Sequence, residues 1–217
     1  MQHNLSLHPS IMSTFVAELR DATIQSDPMR FRMNLRRLGT AMAVEVSKSL
    51  DYQTTDVTTP LGTARVDALQ SQPVLATILR AGLPMHDGVA DVFDRAEQAF
   101  VSACRKYTNA DHDAFEIVID AVSAPPLAGK ILIVTDPMLA TGSSLIQVLP
   151  ALFETHGTPA QVHIVAAIAS EWGMNQVAQA FPQAHIWAAA MDAELNAKGY
   201  IVPGLGDAGD LAFGIKM

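Results

Sequence analysis

Between Pro73 and Ala190 the chain alternates two kinds of apolar pattern. Short, nearly continuous runs, PVLATILR (73–80), AFVSAC (99–104), KILIVTD (130–136), VHIVAAIAS (162–170) and HIWAAA (185–190), are set apart by other stretches. In three of these, around 84–96, 143–155 and 172–181, apolar residues recur at three- and four-residue steps. Unbroken runs predict strands buried on both faces, and helical spacing between them predicts crossovers. The expectation is an α/β fold whose mainly parallel five-stranded sheet is flanked by helices. Pro150, inside 143–155, predicts a kink or an early end to that helix.

The flanks read differently. Residues 1–50 form a helical arm, with Phe15, Val16 and Leu19, then Leu35, Leu38, Met42 and Val46, at helical spacing. Asp27-Pro28 reads as an N-cap followed by a first-turn proline, which places a break between two helices there. DYQTTDVTTPLGTARVDAL (51–69) reads as a short peripheral hairpin. Residues 105–128 combine a polar tip with an alternating return strand, an exposed hairpin or flap, and 193–217 is glycine-rich. The core sheet spans 73–192, and the whole of 1–217 is one domain.

Composition narrows the function classes. The chain has 217 residues, 49% hydrophobic and 17% charged, which suits a globule with a sizeable core. Its 14 Lys and Arg against 22 Asp and Glu give a net charge of -8, which argues against nucleic-acid binding by general phosphate attraction. A single cysteine, Cys104, excludes an internal disulfide framework and CxxC metal patterns, and fits a reducing compartment. No uninterrupted apolar run reaches membrane-spanning length, and MQHNLSLHPS lacks a basic region followed by an apolar one. The expected location is cytoplasmic.

The stretch with most chemistry is VTDPMLATGSSL (134–145), a strand end, a small hydroxylated loop and a helix start. Ligands of open parallel sheets sit beyond the carboxyl ends of the strands, and a helix N-terminus there offers unpaired N–H groups to an anion. Thr141, Gly142, Ser143 and Ser144 would add hydroxyl donors and room for close approach, making a phosphate cradle. TGSS alone also fits a plain strand-loop-helix turn with a Ser or Thr N-cap. It is neither a Walker loop nor GxGxxG. Asp136 would repel a bare phosphate, but could accept from sugar hydroxyls or act through a metal, so a phosphorylated ribose satisfies both halves.

Elsewhere, His86 and Asp87 read as a helix-start cap rather than an acid-base pair, and Cys104 as a buried small hydrophobe. Met29, Met33 and Met42 read as core or subunit interface. The four arginines of MRFRMNLRR (29–37) read as a solvated face or interface rather than a nucleotide site. His3 and His8 support no metal site.

ILIVTDPMLATGSS (131–144) resembles the phosphoribosyl-diphosphate loop of the uracil phosphoribosyltransferases, with Ser143 at the position of a glycine. ILRAGLPMHDGV (78–89) resembles that family's pyrophosphate loop, and YIVPGLGDAGDLAFG (200–214) its base-binding segment. Cys104-Arg105 stands at the root of the flap, and LHP (7–9) and TTPLG (58–62) extend the resemblance over nearly the whole chain.

The resemblance implies the type I phosphoribosyltransferase fold, with N-terminal helices and a β-hairpin flap. It also implies transfer of 5-phosphoribosyl from its diphosphate to N1 of uracil, giving UMP and diphosphate. Arg80, Arg105 and Asp207 would be catalytic. The donor would meet these three and the loop Asp136, Pro137, Met138, Leu139, Ala140, Thr141, Gly142, Ser143 and Ser144. Gly82 would leave backbone N–H groups open to the diphosphate. Main-chain groups at Ile201, Gly206, Asp207 and Ala208 would read the base, rejecting cytosine because its amino group would leave a buried donor unpaired.

Mg²⁺ is implied, held mainly by substrate and water with no direct protein ligand. A homodimer or higher homo-oligomer is implied, with neither nucleic acid nor membrane as partner, and GTP, an activator in some members, is a candidate effector. Four positions depart from the pattern: Ser143, Pro84, Lys106 and Leu211. Ser143 would be strained if its backbone needs positive φ, and Pro84 removes an N–H near the pyrophosphate loop. These departures leave two alternatives, a non-catalytic sensor of UMP or phosphoribosyl diphosphate, and a transferase for another base.

Overall fold

The computed structural model describes residues 1–107 and 115–216. The elements are β1 (Gln2–Asn4), α1 (Ile11–Arg20), α2 (Pro28–Ser47), β2 (Tyr52–Thr59), β3 (Gly62–Leu69), β4 (Val74–Leu79), α3 (Leu83–Ala90), β5 (Glu97–Tyr107) and β6 (Phe115–Ser123). They continue with β7 (Ile131–Thr135), β8 (Met138–Leu139), α4 (Ser143–His156), β9 (Gln161–Ser170), α5 (Glu171–Ala180), β10 (His185–Asp192), β11 (Glu194–Leu195), β12 (Ile201–Val202) and α6 (Ala208–Phe213).

The five apolar runs become β4, β5, β7, β9 and β10, adjacent and parallel in the order β10-β9-β7-β4-β5. Two edges enlarge this sheet. Antiparallel β6 pairs with β5, the polar tip expected between them lying outside the described residues, and β1 pairs in parallel with β10, where the sequence suggests helix. Core lies on both faces: α1, α2 and α3 cover one, and α4 and α5 the other. Each side receives alternate residues of the same strands, which is why the strands carry no polar stripe.

Asp27 caps α2 through Oδ1, accepting from the N–H groups of Met29 and Arg30, and Pro28 opens the helix as expected. The β2–β3 hairpin stands off the sheet with most residues exposed.

Other expectations need correction. The helix α4 runs through Pro150 to His156, because Pro150 lies on its exposed face, where a carbonyl released from the ladder can meet water. The helix α3 ends at Ala90 rather than 96, after which the chain turns to bury Phe93. Of the methionines, Met42 is core while Met29 is exposed.

Strand order reverses between β4 and β7, because β5 follows β4 on one side while β7 starts the other half. The loops after β4 and β7 therefore leave the sheet side by side, at the switch point where open α/β sheets place ligands.

Candidate active site

A cavity of about 380 Å³ opens at this switch point. Arg80 and Ala81 line it from the end of β4, Cys104 and Ile117 from the hairpin β5–β6, and Asp136, Met138, Ala140 and Ser144 from the loop after β7. The carboxyl-terminal segment closes it with Gly199, Tyr200, Ile201, Gly206 to Asp210 and Lys216. A smaller concavity, lined by Leu139, Thr141, Gly142 and Ser143, shares Asp136, Met138, Ala140 and Ser144 with it.

The loop after β7 is shaped by its neighbours. The Asp136 N–H donates to Val165 O at 3.1 Å, and the Ile168 N–H to Pro137 O at 3.0 Å. β8 then pairs with β9, so the loop runs along the sheet before leaving it. Ala140 O accepts from Ser170 Oγ at 2.5 Å, and that hydroxyl also caps α5 by accepting from the Gly173 N–H at 2.8 Å. Gly142, at φ +78°, is the N-cap of α4, and a Cβ there would lie 2.7 Å from Val177 Cγ2. Glycine is required on both counts.

Ser143 is the first helical residue of α4, so its backbone needs no positive φ and the expected strain is absent. Its N–H donates to Thr141 Oγ1 at 3.3 Å, and the two hydroxyl oxygens are 2.9 Å apart. Asp136 Oδ1 accepts from the Met138 N–H at 3.3 Å. The outcome is a helix N-terminus with two hydroxyls beside it and a carboxylate at the strand end, a geometry suited to an anion on one side and hydroxyls on the other.

Arg80 reaches across the cavity. Its Nη2 donates to Gly214 O at 3.1 Å and lies 3.4 Å from Asp210 Oδ1. Asp207 caps α6, with Oδ1 accepting from the Asp210 N–H at 3.0 Å. Gly82 acts otherwise than expected. Its own N–H donates to Ile78 O at 3.2 Å, and a Cβ there would lie 2.1 Å from Thr77 Oγ1 and 2.9 Å from Thr135 O. The glycine is needed so that the loop can pass the ends of β4 and β7. Pro84 lies in the first turn of α3, where an N–H has no intrahelical acceptor, so the helix loses no bond to it.

The sequence-predicted residues thus gather around two adjoining concavities. Arg80, Asp136, Met138, Ala140, Ser144, Ile201, Gly206, Asp207 and Ala208 line the larger, Leu139 and Thr141 to Ser143 the smaller, and Pro137 neither. The backbone of Arg105 lies on β5 opposite Ile117, and its side chain falls outside the described residues, as does that of Lys106.

Cys104 is exposed and lines the cavity rather than being buried, because β4 stops pairing at Ser102 and beyond it β5 has only β6 beside it. His86 is no cap: Gly82 holds that position, and buried His86 bonds through Nε2 to Gln98 Oε1 at 2.5 Å. Burial pushes its pKa below the ordinary value, against the raising effect of Gln98. Asp210, Tyr200 and Lys216 were not singled out from sequence. The first two stand within the quoted YIVPGLGDAGDLAFG, whereas Lys216, two residues after Gly214 at φ +85°, carries no local signal.

The arginines of α2 are ties between elements. Arg30 donates to Glu18 through Nε and Nη2, each at 2.8 Å, Arg36 pairs with Asp91, and Arg32 Nη1 donates to Ala212 O at 2.6 Å. Together with Asn34, Arg30 holds the Glu18 carboxyl at a pKa of about 2.

Residues 6–215 match the family model for uracil phosphoribosyltransferase. A uracil phosphoribosyltransferase of Porphyromonas gingivalis is 48% identical over 215 residues, 99% of this chain and 98% of that one. One from Methanothermobacter thermautotrophicus is 42% identical over 190 residues, 87% and 85% of the two chains. Among solved structures, the AQ2163 protein of Aquifex aeolicus superposes with a TM-score of 0.87 at 32% identity, covering 99% of both.

Proposed function

The chain belongs to the uracil phosphoribosyltransferase family, and from that premise we infer that it transfers 5-phosphoribosyl from phosphoribosyl diphosphate to N1 of uracil, giving UMP and diphosphate. The observation that carries the reading is the shared cavity. A helix N-terminus, a strand-end carboxylate, an arginine and a glycine-rich main-chain edge line two adjoining concavities.

In this reading Thr141 to Ser144 and the N-terminus of α4 hold the 5-phosphate, and Asp136 faces the ribose hydroxyls. Arg80 receives the diphosphate, exchanging its bonds to Gly214 and Asp210 for bonds to a dianion. Arg105 is assigned to the same donor. Main-chain groups at Ile201, Gly206, Asp207 and Ala208 orient uracil opposite the leaving diphosphate. As that bond breaks the anomeric carbon becomes cationic, so positioning and stabilisation of the departing charge lower the barrier. Asp136 and Asp207 offer only oxygen to the cavity, a donor chemistry that fits Mg²⁺ held through substrate and water. When bound, that ion neutralises diphosphate charge.

A homodimer or larger homo-oligomer belongs to the same reading. The β2–β3 hairpin exposes Tyr52, Val57, Val66 and a fully exposed Leu61, and an isolated two-stranded hairpin is marginal in water. A second copy is the partner we assign it, and a monomeric mass in solution would exclude this.

Purified protein with phosphoribosyl diphosphate, Mg²⁺ and uracil should form UMP. Tight UMP binding without turnover would establish the sensor instead, and turnover only with another base would move the specificity.

A further inference from the structure

The segment assigned to the base is not shaped by its own hairpin alone. Asp192 ends β10, and β11 and β12 pair antiparallel with Glu194 opposite Val202. Continued by two residues, that register brings Gly204 back to Asp192. There the Gly204 N–H donates to Asp192 Oδ2 at 3.1 Å. Arg20, the last residue of α1, reaches the same point. Its Nη1 donates to Asp192 Oδ2 at 2.8 Å and to Gly204 O at 2.9 Å, and its Nη2 donates to Asp192 Oδ1 at 2.8 Å.

One forked ion pair therefore fixes both polar groups of a single loop residue. Its side chains are only 23% and 9% exposed, so water competes weakly for these bonds. Gly204 has φ +55°, and a Cβ there would lie 2.2 Å from Ile201 O, so the loop is folded tightly onto Ile201. Neither Arg20 nor Asp192 lines the cavity.

We propose that Arg20 and Asp192 are positioning residues for base selection. Resting on the reading that Ile201 to Ala208 meets uracil, they hold that loop at the depth where its main-chain donors and acceptors match one base edge. Recognition by backbone groups has no side chain to readjust, so a loop that drifts leaves buried groups unpaired and loses discrimination. The planar arginine fork suits the task because it meets a carboxylate and a carbonyl in one fixed plane, which a lysine cannot do. An amino-terminal helix remote in sequence thus enters the specificity of the carboxyl-terminal segment.

Arg20→Met, Asp192→Asn and the milder Arg20→Lys test this. The first two should raise the KM for uracil about tenfold or more while the KM for phosphoribosyl diphosphate stays within about twofold, and Arg20→Lys should fall between. Inhibition by cytosine should strengthen in the same order. Hydrogen exchange of the unliganded protein gives a readout without turnover: amides of 201–206 should exchange faster in Arg20→Met, with 136–146 unchanged. If Arg20→Met does not fold, Arg20→Lys carries the same comparisons. Equal changes in both KM values, or unchanged exchange at 201–206, overturn the proposal. A wild-type protein inactive on uracil would instead overturn the assigned reaction, with the exchange comparison left intact to judge the tie.

Discussion

The loop after β7 and the segment from Gly204 to Gly214 face one another across one cavity and are held by opposite means. The first takes its shape from the adjoining strand: Val165, Ile168 and Ser170 of β9 hold Asp136, Pro137 and Ala140. The second is held from a distance by three arginines. Arg20 of α1 reaches Gly204 O, Arg32 of α2 reaches Ala212 O, and Arg80 beyond β4 reaches Gly214 O. Backbone pairing to a sheet gives a rigid cradle whose geometry is inherited from the fold. Charged side chains give a segment whose position depends on remote elements, and one of its three ties, Arg80, lies in the cavity itself.

The contrast breaks most sharply at Arg80. Arg80→Ala removes a tie and the proposed donor to the diphosphate together, and turnover should fall by about 10²-fold or more. Asp207→Asn should also lower turnover strongly, with the fold intact because asparagine caps helices as well as aspartate does. Near-normal steady-state rates from either variant would remove that residue from the chemistry.

Next in size is the sheet-held side. Gly142→Ala forces a left-handed backbone on a residue with a Cβ and presses it on Val177, costing about 1–3 kcal/mol. Its Tm should drop and its KM for phosphoribosyl diphosphate should rise, while the KM for uracil holds. A rise in both KM values would mean that the two regions are coupled.

The strand β9 that shapes the cradle carries its own weakness in His163. Buried at 0% exposure, it accepts from Trp187 Nε1 at 3.3 Å through Nδ1, and its Nε2 has no partner among the described residues. Burial, then the nearby His185 and His3, lowers its pKa to about 4. The unfolded chain therefore binds the proton first on acidification. The stabilising contribution of neutral His163 is complete above its ordinary pKa of 6.5 and is lost as pH falls from there toward 4. Thermal melts should fall across that window, and His163→Leu should flatten the slope; an unchanged slope would assign it to other groups.

The smallest effect belongs to Ser143→Gly. Since Ser143 sits in an unstrained first helical turn, its replacement should change activity by no more than about twofold and lower Tm slightly through glycine's helix cost. A large gain in activity would show that the hydroxyl obstructs the phosphate.

What the sequence disclosed follows the same division. Five unbroken apolar runs marked five adjacent strands, because burial on both faces writes itself into consecutive residues. The cradle was legible for a similar reason, its parts being contiguous from Asp136 to Ser144. Arg20 was not, since a guanidinium bonding a carbonyl 184 positions away leaves no periodic trace. The arginine-rich stretch of α2 showed an excess of cations but not that one of them grips α6. Gly82 was misread because clearance past Thr77 depends on how two strands and a loop converge. Cys104 was misread because the length of its neighbour β4, rather than its own run, decides its exposure.

The pairing of β1 with β10 bears on how the molecule is made. Gln2 to Asn4 are translated long before their partners Ile186 to Ala188. Contacts so distant along the chain close late, since the intervening loop must be ordered before they form. While they wait, β10 keeps an open edge, and the ring of Trp187 lacks the face of His3 that later stacks on it at 3.8 Å. The amino-terminal strand of the sheet can thus take its place only once the carboxyl-terminal half has been made.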